Sequence, residues 1–356
     1  MIAAEGPSLA ELGEAALIER LAAFAPAGQF LDDAAVLSLQ GAVVLNTDVL
    51  VEGLHFSDAT TSGFDVGWRA AAANLSDLAA MGCRGVHGLS VGLVAPGHTP
   101  WPWVEAVYTG LRACLETYGG EVLGGDCSAG LQRLLAVTAV GPLAHTPSGA
   151  PAPIRRAGGR PGDRLVSTGP HGLSRLGLEI LQGTPWARSP SAAALDPGLV
   201  QRAITAHQRP RPRLDAVKAL AASRPEGMAW RVGGTDSSDG LAAAVSALAA
   251  ASGCQAQLEL RWLPLEAAMA GLPEAVDWCL HGGEDFELVL ALDSGWADQL
   301  VATLPGSRVI GVLAEASAGE ALIAWRDAAE DFPAPGGFTH FQLRATTSAR
   351  STTRWL

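Results

Sequence analysis

Aspartates recur in this sequence beside small residues, mostly where an apolar run begins or ends. A single aspartate in such a place is commonly a helix N-cap or a turn residue. Asp77 is harder to explain in that way, because it falls inside the helical apolar pattern of NLSDLAAMG. If several of these carboxylates converge, any two of them about 4 Å apart repel by roughly 4 kcal/mol at an effective dielectric near 20. The aspartates of this kind include Asp33, Asp48, Asp77, Asp126, Asp236 and Asp239.

A converging set of carboxylates predicts a bound cation. Mg²⁺ fits best, because it takes hard oxygen ligands and is usually held by a few carboxylates together with substrate phosphates. Such a site is typical of phosphoryl transfer, in which the metal neutralises phosphate oxygens. The sequence contains neither a G-x-x-x-x-G-K-[ST] motif nor the Gly-rich, V-A-I-K and H-R-D motifs of protein kinases. A nucleotide would have to be bound by another route.

The bulk properties narrow the class of protein. The chain has 356 residues and a net charge of −12, which argues against a basic surface for nucleic acid or an anionic membrane. The first residues carry acids where a secretory signal carries positive charge, and no stretch reaches the roughly 20 apolar residues that span a bilayer. The five cysteines are scattered without a C-x-x-C pair, so neither a zinc site nor a disulfide framework is expected. A cytoplasmic location fits this pattern best.

Helical and strand-like patterns alternate along the chain, which predicts a mixed α/β fold. The segment 143–162 is rich in proline and glycine and predicts a boundary between two α/β domains, 1–145 and 146–356. Asp48 is expected to end the first strand. The predicted helices include 8–24, 68–81, 102–118, 173–182 and 240–251. The predicted strands are 42–47, 86–94, 134–140, 164–169, 256–261, 286–291 and 307–313.

Seven short motifs occur in the order in which they are found in thiamine-monophosphate kinases, so the chain resembles that family over residues 9–340. Any one of these motifs is weak evidence, whereas seven in order are specific. The family lies in one superfamily with aminoimidazole ribonucleotide synthetase, selenophosphate synthetase and a hydrogenase maturation factor. The motifs are DDAAVL (32–37), NTDVLVEGLHF (46–56), NLSDLAAMG (74–82), LGGD (123–126), RPGDRLVSTG (160–169), SSDGL (237–241) and GGEDFEL (282–288).

The resemblance implies two α/β domains, with the N-terminal domains of two subunits forming a β-barrel across a homodimer. It also implies that ATP, bound in a cleft near the subunit interface, is the phosphoryl donor and that Mg²⁺ is the metal. The γ-phosphate would pass in line to the phosphate of thiamine monophosphate. The product would be thiamine diphosphate, formed without a phosphoenzyme.

The resemblance also assigns roles to individual residues. The metal positions are Asp33, Asn46, Thr47, Asp48, Asp77, Asp126, Asp236 and Asp239, of which Asp48, Asp77, Asp126 and Asp239 are expected to be catalytic. The nucleotide positions are Gly125, Asp126, Arg156 and Ser238, and the substrate positions are His55 and Glu284. Arg156 could donate two parallel hydrogen bonds to polyphosphate oxygens. Ser238 is expected to open a helix, whose free N–H groups favour an anion.

The sequence departs from the family pattern at several positions, and one of them bears on the substrate. Asn46 stands where the family more often has Ser or Thr, and Ser237 replaces a usual Leu. Pro335 aligns with an aromatic residue that stacks on the thiamine pyrimidine, and Phe332 could replace it. Two alternatives therefore stay open. The chain could be another ATP-dependent synthetase of the same superfamily, or a non-catalytic nucleotide-binding protein with a degenerate site.

Overall fold

The computed structural model describes residues 6–30, 34–146, 148–317 and 319–333. Its strands form two separate sheets, the first from residues 43–142 and the second from residues 164–325, and helices pack against both. The chain is thus a mixed α/β protein of two domains, as the alternating pattern predicts. The predicted domain boundary between residues 145 and 146 stays a prediction.

The first sheet contains four strands, β1 (Val43–Val51), β2 (Gly88–Ala95), β3 (Glu121–Ala129) and β4 (Leu134–Pro142). Their order is β1-β4-β2-β3, and within it β2 and β3 run parallel. Side chains alternate along β1, as they do in any strand. Asn46 and Asp48 therefore lie on one face of the sheet, whereas Leu45, Thr47 and Val49 lie on the other and are exposed.

The second sheet contains six strands, β5 (Arg164–Ser167), β6 (Gly233–Asp236), β7 (Cys254–Leu258), β8 (Leu288–Leu292), β9 (Arg308–Glu315) and β10 (Ile323–Trp325). Their order is β10-β7-β9-β5-β8-β6, with only the first pair parallel. Every residue of β8 is buried, which explains its unbroken apolar sequence LVLAL.

The described part of the chain contains ten α-helices. They are α1 (Leu9–Leu21), α2 (Gly63–Ala80), α3 (Trp101–Tyr118), α4 (Leu173–Gln182), α5 (Pro190–Ala193), α6 (Pro197–Gln208), α7 (Leu214–Ala222), α8 (Leu241–Ser252), α9 (Ala275–His281) and α10 (Ser294–Thr303). α1 begins with a capping box, in which Ser8 and Glu11 each bond to the backbone N–H of the other.

Helix α2 is the central element of the molecule. Fourteen of its eighteen residues are buried, because it packs against β1, β4 and α3 of the first domain and against β6 and α7 of the second. Two glycines let α2 and α3 cross closely. A Cβ on Gly67 would lie 1.8 Å from the carbonyl oxygen of Val107, and one on Gly110 would lie 1.9 Å from that of Phe64. Side chains on α2 can thus reach both domains.

The predicted bounds of several elements are wrong, as at β7, which spans Cys254–Leu258 rather than 256–261. β1 does not end at Asp48 but continues to Val51, because it pairs with β4 along its whole length as far as Leu134. α2 begins at Gly63 rather than at residue 68, because the Ser62 side chain caps its first turn. β3, β6 and β10 have no predicted counterpart, and in β3 and β6 adjacent glycines interrupt the apolar pattern.

All five cysteines lie within the described ranges, and each is a free thiol. Four of them, Cys83, Cys114, Cys254 and Cys279, are buried. Burial raises the pKa of Cys83 to about 12, which makes that thiol a poor nucleophile. Among the residues that the structure describes, no helix is both long enough and apolar enough to cross a membrane. The cytoplasmic location stays a prediction.

Candidate active site

A polar cluster forms where β1 meets the C-terminal half of α2. The Asn46 side-chain amide donates to Asn74 Oδ1 at 3.0 Å and to Asp77 Oδ2 at 2.9 Å. Because side chains alternate along a strand, Asp48 lies on the same face of β1 as Asn46. The motifs NTD and NLSD, which are separate in the sequence, therefore meet in one place.

Asp236, at the end of β6, joins this cluster from the second domain. Ser76 donates to Asp236 Oδ2 at 2.7 Å, which connects α2 to β6 one residue before Asp77. Asp236 is buried, and its burial raises the pKa of the carboxyl, with a further contribution from the charge of Asp48. The carboxylate cluster is defined here as Asn46, Asp48, Asp77 and Asp236.

The carboxylate cluster carries more negative charge than its surroundings balance. Burial, followed by the charges of Asp236 and Asp48, raises the pKa of Asp77 to about 7. Burial also raises the pKa of Asp48. Arg156 opposes this effect, since its positive charge lowers the pKa of Asp77 and of Asp236. The guanidinium lies beside the end of β6, where Nε donates to Thr235 Oγ1 at 3.2 Å.

The carboxylate cluster has the oxygen donors that Mg²⁺ requires. Asn46 Oδ1 is buried and accepts no hydrogen bond, although the amide nitrogen of the same side chain donates two. A hard cation relieves an unsatisfied oxygen beside crowded carboxylates. Within the described ranges, no three His, Cys, Asp or Glu side chains come close enough to hold a metal ion by themselves. That arrangement still suits Mg²⁺, which is usually held by one or two carboxylates plus water and phosphate oxygens.

A second polar group surrounds Arg69, about 12 Å along α2 from Asp77. Arg69 is buried and pairs with the carboxylate of Glu284, which lies in the loop before β8. The same guanidinium donates to the carbonyl oxygen of His55 at 3.2 Å and to that of His207 at 3.0 Å. The arginine network is defined here as His55, Arg69, His207 and Glu284.

The ring of His207 is neutral in the arginine network. Its Nε2 lies 2.8 Å from Arg69 Nη1, and because a guanidinium only donates, Nε2 must accept. Nδ1 therefore carries the proton and faces Ser174 Oγ at 3.2 Å and Glu284 Oε2 at 3.4 Å. Burial and the charge of Arg69 hold the pKa of His207 well below its usual range, which agrees with the neutral form.

Glu284 lies in a loop with an unusual backbone conformation. Glu284 and Phe286 have positive φ angles of 58° and 52°, which residues other than glycine seldom adopt. Asp285 anchors the loop by accepting two backbone N–H bonds at the start of α4. Glu284 N donates to Ser238 O at 2.7 Å, two residues after Asp236, so this loop connects the arginine network to the carboxylate cluster. Strain that surrounding contacts maintain is common at functional sites.

Three predicted site residues of the first domain lie away from the carboxylate cluster. Thr47 points to the opposite face of the first sheet, where its hydroxyl lies 2.8 Å from that of Thr138. Asp126 is exposed on β3, three strand positions from β1, or roughly 14 Å at the usual strand spacing. Gly125 permits close strand packing, since a Cβ there would lie 1.9 Å from the Val91 carbonyl oxygen. The predicted roles of all three stay predictions.

The remaining predicted residues lie in loops or outside the described ranges. The prediction that Ser238 opens a helix is wrong, because α8 begins three residues later with Gly240 as its N-cap. Ser238 and Asp239 are exposed in the loop after β6. Asp33 and Pro335 lie outside the described residues.

Sequence patterns alone do not identify Asn74, Ser76 or Arg69 as site residues. Asn74 and Ser76 belong to the NLSD motif and are completely buried in α2. A polar residue inside an apolar helical pattern is the signal that could have revealed them. Arg69 offers no comparable signal of its partners, because Glu284 is 215 residues away and His207 is 138 residues away.

Both halves of the chain match a known family. Residues 31–143 match the family described as AIR synthase related protein, N-terminal domain, and residues 160–324 match AIR synthase related protein, C-terminal domain. The thiamine-monophosphate kinase of Prochlorococcus marinus is 43% identical over 87% of this chain and 91% of its own length. That of Synechococcus elongatus is 44% identical over 94% of this chain and 98% of its own length.

A solved structure described as AaThiL complexed with AMPPCP and TMP has a similar fold. It superposes with a TM-score of 0.68 at 27% sequence identity, covering 93% of this chain and 98% of that chain. The two domain matches and the nearly full-length relatives agree with the motif order in the sequence. The chain belongs to the thiamine-monophosphate kinase family of the AIR synthase related proteins.

Proposed function

We propose that this chain transfers the γ-phosphoryl group of ATP to thiamine monophosphate, giving thiamine diphosphate and ADP. The carboxylate cluster is the observation that carries the proposal, because its crowded acids and the unsatisfied Asn46 Oδ1 suit a cation of the kind that binds phosphates. The names of the relatives, and the AaThiL complex with AMPPCP and TMP, support this choice of donor and acceptor.

The proposed Mg²⁺ ligands of the carboxylate cluster are Asp48, Asp77, Asp236 and the side-chain oxygen of Asn46, with one or two of the carboxylates on any one ion and with water and phosphate oxygens as the other ligands. When bound, Mg²⁺ would neutralise the charge of phosphate oxygens, which is the main requirement of phosphoryl transfer. Arg156 adds a fixed positive charge beside the same carboxylates, where it could pair with polyphosphate oxygens. The further metal ligands proposed are Asp33 and Asp239. Thr47 stays a prediction, because its side chain lies on the face of β1 opposite Asp48.

The reaction requires little proton transfer from the protein. A phosphate monoester has a second pKa of about 6, so at neutral pH an acceptor oxygen is already anionic and can attack the γ-phosphorus directly. The bond from the γ-phosphorus to the ADP oxygen breaks as the new P–O bond forms, and ADP leaves with the electron pair. The carboxylate cluster and Arg156 therefore act by positioning and balancing charge rather than by general base catalysis.

The arginine network is the proposed site for the acceptor. Glu284 offers a carboxylate that is one-third exposed, 33%, and that could face the cationic thiazolium ring. His55 lies just after β1, on the loop that follows the carboxylate cluster in sequence. Because the Glu284 backbone also bonds to Ser238, a proposed nucleotide contact, the donor and acceptor sites would adjoin.

ADP release tests this proposal. ADP formation should depend on both Mg²⁺ and thiamine monophosphate, and one thiamine diphosphate should appear for each ADP. Thiamine, which lacks the acceptor phosphate, is the matched control and should give no ADP above the background rate. If well-folded protein forms no thiamine diphosphate, or releases ADP at the same rate without the acceptor, the proposal is wrong.

We also propose that the chain acts as a homodimer through the exposed face of the first sheet. Val43, Leu45 and Val49 alternate along β1 on this face, with 39%, 67% and 44% of their surface exposed. A row of apolar side chains on one face of a sheet usually marks a contact surface. Two such faces related by a two-fold axis could close the β-barrel that the family resemblance implies.

Asp126 fits this arrangement, although it lies far from the carboxylate cluster of its own chain. The strand register aligns it across the sheet with Gly92, Ala136 and Val49, so it lies on the same exposed face. We infer that Asp126 and the adjacent Gly125 contribute to the site of the partner subunit. The nucleotide would then bind close to the dimer interface.

Mixed dimers test this inference. Asp126→Asn and Asp77→Asn should each be inactive as homodimers, but their heterodimer should contain one site with both aspartates intact. Random mixing of equal amounts should therefore recover about a quarter of wild-type activity, since half of the dimers would each carry one working site. Variants that exchange subunits without regaining activity would show that Asp126 does not act across the interface.

A further inference from the structure

Arg69 connects residues that belong to opposite sides of the domain boundary. It extends from α2 in the first domain, and its side chain is only 5% exposed. Nη2 donates to the His55 carbonyl oxygen, in the first domain, and to the Glu284 carboxylate, in the second. Both partners are proposed to contact the acceptor, and their sequence positions differ by 229 residues. One buried side chain therefore sets the distance between them.

We propose that Arg69 is a positioning residue for the acceptor, which holds His55 and Glu284 in a fixed relative geometry, and that His207 in turn holds Arg69. This inference rests on the function proposed above and adds to it a residue that determines acceptor binding. Arg69 does not itself need to touch the substrate, because it acts through the two residues that it contacts.

The chemistry of arginine suits this role better than that of lysine. A guanidinium is planar and carries five N–H donors in a fixed arrangement. Here Nη1 serves the His207 ring and carbonyl oxygen, while Nη2 serves His55 and Glu284. A lysine ammonium could keep the charge beside Glu284, but it could not reach all these acceptors from one point. Arg69→Lys should therefore retain folding while loosening the acceptor site.

A second ion pair on the same boundary provides a matched control. Arg209, after α6, donates to Asp65 Oδ1 at 2.6 Å, and Asp65 lies one turn before Arg69 on α2. This pair also joins the two domains, but no bond described for it reaches Glu284 or His55. Arg209→Gln should therefore weaken the domain contact without moving the acceptor residues.

Steady-state kinetics of Arg69→Gln, Arg69→Lys and Arg209→Gln test the proposal. For both Arg69 variants the KM for thiamine monophosphate should rise roughly ten- to hundredfold, because small displacements of binding groups are costly. The KM for ATP should stay within about twofold, since the carboxylate cluster is unchanged. Arg209→Gln should lower the thermal unfolding midpoint and leave both KM values within about twofold of wild type.

A double-mutant cycle separates positioning from general destabilisation. If Arg69 acts through Glu284, then Arg69→Gln should change the KM for thiamine monophosphate much less in the Glu284→Gln background than in wild type. The proposal is overturned if folded Arg69 variants keep the wild-type KM for thiamine monophosphate, or if both KM values rise together. If Arg69→Gln does not fold, Arg69→Lys is judged by the same criteria. Wild-type enzyme that fails to use thiamine monophosphate would instead reject the proposed function itself.

Discussion

The carboxylate cluster and the arginine network lie on the same helix but differ in how their charges are balanced. In the carboxylate cluster, burial raises the pKa of Asp48, Asp77 and Asp236, and repulsion from neighbouring aspartates raises it further at Asp77 and Asp236. Asn46 Oδ1 has no donor. In the arginine network, Glu284 forms an ion pair with Arg69, and the two ring nitrogens of His207 bond to Arg69 and Ser174.

This difference indicates two modes of ligand recognition in one site. The carboxylate cluster is electrostatically incomplete, so a cation should stabilise it and bring phosphates with it. The arginine network is complete before a ligand binds, so it can hold the acceptor with little rearrangement. Removing a carboxylate from the carboxylate cluster should therefore stabilise the ligand-free protein, whereas removing one from the arginine network should destabilise it.

Asp77→Asn should have the largest effect. Turnover should fall by roughly a thousandfold or more, because a proposed ligand of the metal is lost. The metal-free variant should nevertheless unfold at a higher temperature than wild type at pH 8, since the substitution removes a repelled charge. In wild type the raised pKa of about 7 means that the stability contribution of Asp77 is fully present below its unfolded value near 4 and is lost as the pH rises through 7.

Activity assays and thermal denaturation at pH 5 and pH 8 measure both effects. The gain in stability should be largest at pH 8 and should shrink toward pH 5. Asp298→Asn is the control, because Asp298 is an exposed partner of Arg164 whose loss should change little. Normal turnover in Asp77→Asn, or a lower unfolding midpoint at pH 8, would contradict the description of the carboxylate cluster.

Glu284→Gln should have an intermediate effect of the opposite sign on stability. The substitution leaves the buried guanidinium of Arg69 without its counter-charge, so the unfolding midpoint of the metal-free protein should fall by roughly 2–4 °C. The KM for thiamine monophosphate should rise while the KM for ATP changes little. Calorimetric binding and kinetics with each substrate check this. An unfolding midpoint of Glu284→Gln above that of wild type would contradict the proposed difference in charge balance between the arginine network and the carboxylate cluster.

The pH dependence of Mg²⁺ binding should be the smallest effect. Protons compete with the metal for Asp77, so the apparent Mg²⁺ affinity should fall by up to about tenfold per pH unit below pH 7. The increase in unfolding temperature produced by Mg²⁺ should therefore be greater at pH 8 than at pH 6. Asp77→Asn should weaken this dependence. Equal increases at the two pH values in wild type would argue against Asp77 as a ligand.

The sequence predicts part of this site because some of its contacts join residues of short motifs and local patterns. Asp77 stands out as an acid inside an apolar helical pattern, and NTD and NLSD together supply most of the carboxylate cluster. The alternation along β1 is also readable, although the predicted end at Asp48 is wrong because pairing with β4 extends the strand. The local sequence therefore predicts which acids belong to the carboxylate cluster more reliably than it predicts where a strand ends.

Other features depend on contacts that no local pattern encodes. Arg69 lies in an alanine-rich part of α2, and only the folded chain brings it to Glu284 and His207. Thr47 and Asp48 are adjacent in sequence but lie on opposite faces of β1, so a motif cannot say which of them reaches a metal. The positive φ angle of Glu284 likewise reflects the bonds around its loop rather than its residue type.

A crystal structure of this protein with Mn²⁺, AMPPCP and thiamine monophosphate would test the central claim most directly. Mn²⁺ accepts the oxygen ligands that suit Mg²⁺, and its anomalous scattering locates it without ambiguity. The account predicts anomalous peaks within about 2.3 Å of carboxylate oxygens of Asp48, Asp77 or Asp236, with phosphate oxygens completing the coordination. Peaks held only by the nucleotide, with the carboxylate cluster unoccupied, would contradict it.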